Sequence, residues 1–151
     1  MDIIIDDLAN GQVIGLLEEH LSDMYAISPP ESVHALDVER LRSPDITFFS
    51  GWVEERLYGC LAMKQLTSQH IELKSMRTSQ FARNSGVASA LLTHALAVAR
   101  AKGVQRVSLE TGSQAFFKPA RNLYKKFGFC YCAPFADYQE DPHSRFMTKV
   151  L

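Results

Sequence analysis

From Arg83 to Ala88 the chain reads Arg-Asn-Ser-Gly-Val-Ala, a run of small and polar residues where an extended segment hands over to a helix. His70 to Ser79 is extended and partly alternating. Beyond the run, Val87, Ala90, Leu91, Ala95 and Val98 recur at helical spacing. Gly86 therefore lies in a strand-to-helix turn that leads into a helix N-terminus. The first N–H groups of such a helix have no intrahelical partner, and the macrodipole adds partial positive charge there. The chemistry on offer is anion binding, above all of a phosphate. Gly86, Ala88 and Ser89 are small enough for a bulky anion to approach the backbone. A glycine opening a helix serves plain packing more often, so the turn alone leaves both readings open.

The elements that must hold this turn can be read along the chain. Ile3 to Ile5 form a short first strand. Val13, Leu16, Leu17, Leu21 and Met24 share one face of a helix running from the N-cap Asn10 to Tyr25. Ser28-Pro29-Pro30 breaks that helix, and a short second one covers Asp37 to Arg42 with Asp37 as cap. Asp45 to Val53 and Leu57 to Leu66 are strands joined as a hairpin through Glu54-Glu55-Arg56, and the next strand begins near His70. Gly103 ends the long helix. Val104 to Glu110 is a strand, and Pro119 and Gly128 bracket a last helix, in the first turn and at the C-terminal cap. Cys130 to Tyr138 and Arg145 to Val150 close the chain as strands. The order is β-α-α-β-β-β-α-β-α-β-β; periodicity alone makes this an α/β or α+β domain.

With 151 residues, no repeats and no linker, the chain is expected to be a single domain spanning 1–151. Its hydrophobic fraction of 46% and charged fraction of 22% are those of an ordinary globular protein. A net charge of −1 without a basic run gives no reason to expect nucleic acid, and no apolar stretch suits a bilayer. The acidic start, Met1-Asp2-Ile3, lacks the basic region of a signal peptide, so the expected compartment is the cytoplasm. Cys60, Cys130 and Cys132 are odd in number and do not form C-x-x-C. On a strand, Cys130 and Cys132 would share a buried face. The histidines show no ligand spacing, and no metal site is expected.

Two motifs carry a family resemblance. Arg83-x-x-Gly86-x-Ala88 resembles the Arg/Gln-x-x-Gly-x-Gly/Ala signature of the GCN5-related N-acetyltransferases, the GNAT family. Ala120-x-x-Leu123-Tyr124-x-x-x-Gly128-Phe129 looks like the family's second hallmark, with the elements between them in the family's order. The resemblance implies a mixed α/β fold of GNAT type: one central, mostly antiparallel sheet flanked by helices. It implies acetyl-CoA as acetyl donor, its pyrophosphate on the backbone N–H groups of Asn84, Ser85, Gly86, Val87 and Ala88. Met76 and Thr78 would pair through their backbone with the pantetheine arm. Arg83 would add charge to a phosphate, or be a solvated surface arginine. Many members carry an asparagine three residues before the motif's alanine; here that position is Phe117, which packs against the pantetheine or walls the acceptor cleft instead.

Acetyl transfer to an amine requires a held donor, a neutral amine and a stabilised thiolate. An alkyl ammonium with a pKa of about 10.4 is neutral roughly once in a few thousand molecules at pH 7, so a proton acceptor helps. Glu72, on the polar side of the strand leading into the motif, is the first choice of base by its resemblance to a catalytic strand glutamate. Glu110 is its rival, and the plain alternative is a Glu72–Lys74 ion pair. Tyr124 matches the tyrosine that gives a proton or hydrogen bond to the coenzyme sulfur, a phenol being protonated at neutral pH. The loop after the first helix usually shapes the acceptor site in this fold, so Ser32 and His34 are the substrate-binding candidates. The expected acceptor is a small-molecule amine, or else a peptide or protein, and a homodimer is in keeping with the resemblance. A non-catalytic acyl-CoA-binding or regulatory module on the same fold is the alternative.

Overall fold

A computed structural model describes all 151 residues. Seven strands, β1 (Asp2–Ile5), β2 (Ile46–Val53), β3 (Arg56–Thr67), β4 (His70–Thr78), β5 (Arg106–Gly112), β6 (Cys130–Tyr131) and β7 (Ser144–Val150), form one sheet. Their spatial order is β1-β2-β3-β4-β5-β7-β6, and only the β4–β5 pairing is parallel. Four helices, α1 (Gly11–Ile27), α2 (Val38–Leu41), α3 (Val87–Ala101) and α4 (Lys118–Lys126), complete the order of elements expected from the sequence.

Local chemistry sets the helix ends. Asn10 caps α1 by accepting from the Gln12 N–H at 2.8 Å, and Asp37 caps α2 by accepting from the Arg40 N–H at 2.9 Å. The apolar stripes then choose a side of the sheet. Val13, Leu16 and Leu17 of α1 and Leu41 of α2 pack with Phe48, Leu57, Cys60 and Ala62 on one face. Leu91, Leu92, Ala95 and Leu96 of α3 pack with Phe49, Leu61, Ile71 and Leu73 on the other. Each such leucine gains roughly 1.5–3 kcal/mol by leaving water.

Beside register shifts at Gly51/Trp52 and Gln65/Thr67, two irregularities of the sheet shape the site. Cys60 pairs with Arg77 and Ala62 with Lys74, so three steps on β4 answer two on β3. The extra residue forms a bulge, and Ser75 takes φ 54°, within it. Side-chain alternation therefore reverses along β4: Leu73 and Met76 both pack with the α3-side core. The second irregularity is a split. The β4–β5 ladder runs from His70↔Arg106 to Leu73↔Leu109 and stops there. Beyond it, β4 remains with β3 as far as Thr78↔Gly59, while β5 remains with β7 as far as Gly112↔Ser144.

The strand expected from Cys130 to Tyr138 is corrected. Only Cys130 and Tyr131 pair with β7 in the ladder. Pro134 has no N–H to offer a ladder, and the Tyr138 N–H closes a turn onto the Phe135 carbonyl at 3.1 Å. The shared buried face expected of Cys130 and Cys132 fails for the same reason: on this two-residue edge strand Cys130 is exposed and Cys132 half-buried. The strand expected at Val104–Glu110 is shifted toward the C-terminus, to Arg106–Gly112.

Candidate active site

The split between β4 and β5 opens a cleft of about 610 Å³, walled by the end of α1, the loop after it, the turn before α3, and α4. Every site residue singled out in the sequence lines this cleft except Ser85. The Ser85 hydroxyl instead donates to the Ala82 carbonyl within the turn.

At one end lies the turn into α3. Asn84 and Gly86 take φ of 61° and 85°, and the α3 N-cap Gly86 has no side-chain capping bond. The backbone N–H groups of residues 84–89 make no hydrogen bond of normal geometry within the chain. A cluster of free donors at a helix N-terminus suits a phosphate. A Cβ built on Gly86 would meet nothing within 4 Å, so glycine is needed here for its left-handed backbone rather than for space.

The ionisable groups gather where the strands separate. Glu72 is 3% exposed. Its carboxylate accepts from the Tyr138 hydroxyl at 2.5 Å and from Lys74 Nζ at 3.2 Å, and Lys74 Nζ also donates to the Tyr138 oxygen at 2.9 Å. Burial and the Glu72 charge push the Tyr138 phenol well above its usual range, so it stays protonated. The candidate base is thus set within a closed network. Glu110 is different. Burial lifts its carboxyl to about 7, with the Glu72 and Asp141 charges adding to the rise. The Ser144 hydroxyl, which forms no full hydrogen bond, and Lys74 offset part of it.

Tyr124 of α4 is buried and packs edge-on to Phe129 with ring centroids 5.9 Å apart. Burial, then the Glu110 charge, raise its phenol above the usual range. At neutral pH it keeps its proton. Phe117 lies so close to Gly112 that a Cβ there would fall 2.1 Å from the ring; the end of β5 has to be glycine for α4 to approach. Arg121 Nη1 fastens the same junction by donating to the Gly112 carbonyl at 2.6 Å.

The α1 side of the cleft is held by Arg77. Its guanidinium is 5% exposed and pairs with Glu19 at 2.5 Å and Asp23 at 2.6 Å, while its Nε has no partner. His20, between those carboxylates in sequence, is held down to about 4 by burial and by Arg77, and its Nδ1 lacks a partner. Ser32 donates to Asp141 Oδ2 at 2.6 Å, so its hydroxyl already has a structural use. His34 stands edge-on to Tyr138 with centroids 5.0 Å apart, and burial and Lys74 lower its pKa. Arg77 and Tyr138 are not singled out as site residues by the sequence. The Glu19/Asp23 pair at i, i+4 on a half-apolar helix signals the first; nothing local signals the second.

A family model described as the acetyltransferase (GNAT) family matches residues 13–129. The chain is 56% identical over 151 residues, all of both chains, to the uncharacterized N-acetyltransferase YsnE of Bacillus subtilis (strain 168). It is 51% identical to the uncharacterized N-acetyltransferase YedL of Escherichia coli (strain K12), over 97% of this chain and 92% of that one. Among solved structures, the PaiA N-acetyltransferase of Thermoplasma acidophilum in complex with coenzyme A superposes with a TM-score of 0.72 over 100% of each chain at 19% identity. This protein belongs to the acetyltransferase (GNAT) family. It is an enzyme of acyl transfer with the fold that the two sequence motifs imply.

Proposed function

We propose that the protein transfers the acetyl group of acetyl-CoA to the primary amine of a small molecule by direct attack. The observation that carries this reading is the placing of Glu110, a carboxyl at about 7, in one cleft with the protonated Tyr124 and the free N–H groups before α3. The turn suits the donor's pyrophosphate, with Arg83 at its rim, and the unpaired edge of β4 around Met76 and Thr78 suits the pantetheine arm. The coenzyme-A complex of the Thermoplasma structure is in keeping with that donor.

Glu110 is the base in this mechanism rather than Glu72, which is committed to Lys74 and Tyr138. A carboxyl near 7 can take the ammonium proton at working pH and does not hold it too weakly. The freed amine attacks the thioester carbonyl, the N–C bond forms and the C–S bond breaks. Tyr124 gives its proton to the departing sulfur and regains one from the nitrogen as the amide forms, directly or through water. Glu72 sets the local charge through Lys74.

Calorimetry with acetyl-CoA tests the donor half, and release of free thiol with a panel of amines tests the transfer. Binding near micromolar, about −8 kcal/mol, with amine-dependent thiol release supports the proposal. A folded protein that binds no acyl-CoA, or binds it and acetylates no amine, overturns it.

A further inference from the structure

Behind the Glu72–Lys74–Tyr138 wall lies a second pocket of about 230 Å³. It shares Val33, His34, Ala35, Glu72 and Lys74 with the main cleft, so the two are contiguous. Three side-chain cations, Arg40, Lys64 and Lys74, line it against two carboxylates, Glu72 and Asp137. Lys74 and Glu72 neutralise each other. Lys64 stands directly opposite Glu72 across the β3–β4 ladder, yet the two make no ion pair, because Glu72 is held by Lys74 and Tyr138. Arg40 makes no ion pair either, and Asp137 pairs with neither cation. With Asp137 counted, the pocket keeps one positive charge in surplus. His34 adds none near neutrality, its pKa being lowered by burial and by Lys74.

We infer that the acceptor carries an anionic group, a carboxylate or a phosphonate, beside its amine, and that Lys64 and Arg40 receive that group in the second pocket while the amine meets Glu110. This inference rests on the amine-acetylating function proposed above. Glu110 lines the main cleft and not the second pocket, whereas Lys64 and Arg40 line only the second, so the acceptor is a zwitterion whose amine and anion are held apart by a linker. Two unpaired cations against one unpaired carboxylate, Asp137, disfavour a second ammonium at the far end, and the main cleft offers a polycation no full carboxylate charge: Glu72 is paired, and burial lifts the Glu110 carboxyl to about 7. Polyamines and aminoglycosides are therefore poor acceptors.

The test uses the full-length protein with acetyl-CoA and matched acceptors: ω-amino acids of graded chain length, their carboxamides, the corresponding decarboxylated amines and ω-aminoalkylphosphonates. The expected result is a kcat/KM at least tenfold higher for the amino acid or the phosphonate than for the carboxamide, the favoured pair identifying the anion. In Lys64→Ala and Arg40→Ala this ratio collapses toward one, chiefly through KM. Calorimetry of N-acetyl amino acids and N-acetyl aminoalkylphosphonates on the CoA-loaded protein reads the anion site without turnover, and Lys64→Ala should weaken it about tenfold. Better turnover of polyamines or carboxamides, a ratio that survives both variants, or no binding of either product class overturns the inference. Loss of acetyl-CoA binding itself would instead count against the proposed function.

Discussion

Leu73 and Leu109 are the last partners in the parallel ladder of β4 and β5, and the two carboxyls weighed for the base role lie next to that pair. Glu72 precedes Leu73 and Glu110 follows Leu109, so one point of separation places both carboxyls at the closed end of the cleft. The bulge at Ser75 turns the rest of β4, sending Met76 to the α3 side and Arg77 toward α1.

Glu110→Gln should lower kcat/KM by about 10²–10⁴-fold, the usual contribution of a positioned base. In the wild type, activity should rise with pH through about 7 as the carboxyl becomes able to accept a proton. The variant should lose that limb. A pH–rate profile checks both, and an unaltered profile removes Glu110 from the base role.

The same substitution should stabilise the fold at high pH. A carboxyl lifted from 4.5 to about 7 keeps a proton in the native state that the unfolded chain has lost, so stability falls as pH rises between those values. The native state above pH 7 carries a cost on the order of 3 kcal/mol, which glutamine removes. Denaturant melts at pH 5 and pH 8 should show the gain of Glu110→Gln chiefly at pH 8.

Tyr124→Phe should cut turnover by about tenfold or more while acetyl-CoA affinity stays within a few-fold, because the ring remains and only the proton donor goes. Steady-state rates beside calorimetric titration separate the two. Wild-type turnover with a good acceptor would end the acid role.

How much of the fold and site is legible in the sequence differs from residue to residue. The turn at Gly86 and the tyrosine of α4 are readable because each depends on a short local pattern. The order of elements is readable because the apolar periodicities are strong. Tyr138 is not, since its partner Glu72 is 66 positions away and the chain between Cys132 and Tyr138 looks extended in composition. The alternation of β4 misleads beyond Lys74 because a bulge at a serine leaves no compositional mark. Preference for Glu72 over Glu110 follows the resemblance; the commitment of Glu72 to both Lys74 and Tyr138 becomes visible only with both neighbours in place.

Gly86→Val should weaken acetyl-CoA binding at least tenfold without unfolding the protein. No atom lies within 4 Å of a Cβ built there, so the main penalty is the left-handed backbone, about 1–2 kcal/mol, together with a displaced set of N–H donors. Calorimetry with a parallel thermal melt reads binding and folding apart.

Removing the two partners of Arg77 should be worse than removing Arg77. Glu19→Gln with Asp23→Asn strands a cation that is 5% exposed, for a loss of about 3–5 kcal/mol. Arg77→Met leaves two carboxylates, 41% and 40% exposed, that water can solvate, so less than half that loss is expected. Urea melts of both variants decide, and the reverse order would show that packing rather than charge fixes α1.

The Ser32–Asp141 hydrogen bond joins segments 109 positions apart. One comes from the loop after α1 and the other from the connection into β7. Their contact makes this wall of the cleft, the one proposed to face the acceptor, a composite whose halves have to change together. Replacing either loop alone with that of a relative of different specificity would leave a mismatched seam, whereas exchanging both as a set would carry the seam along. Divergence in substrate choice along this lineage should therefore leave paired changes at the two segments, with the turn at Gly86 evolving on its own schedule.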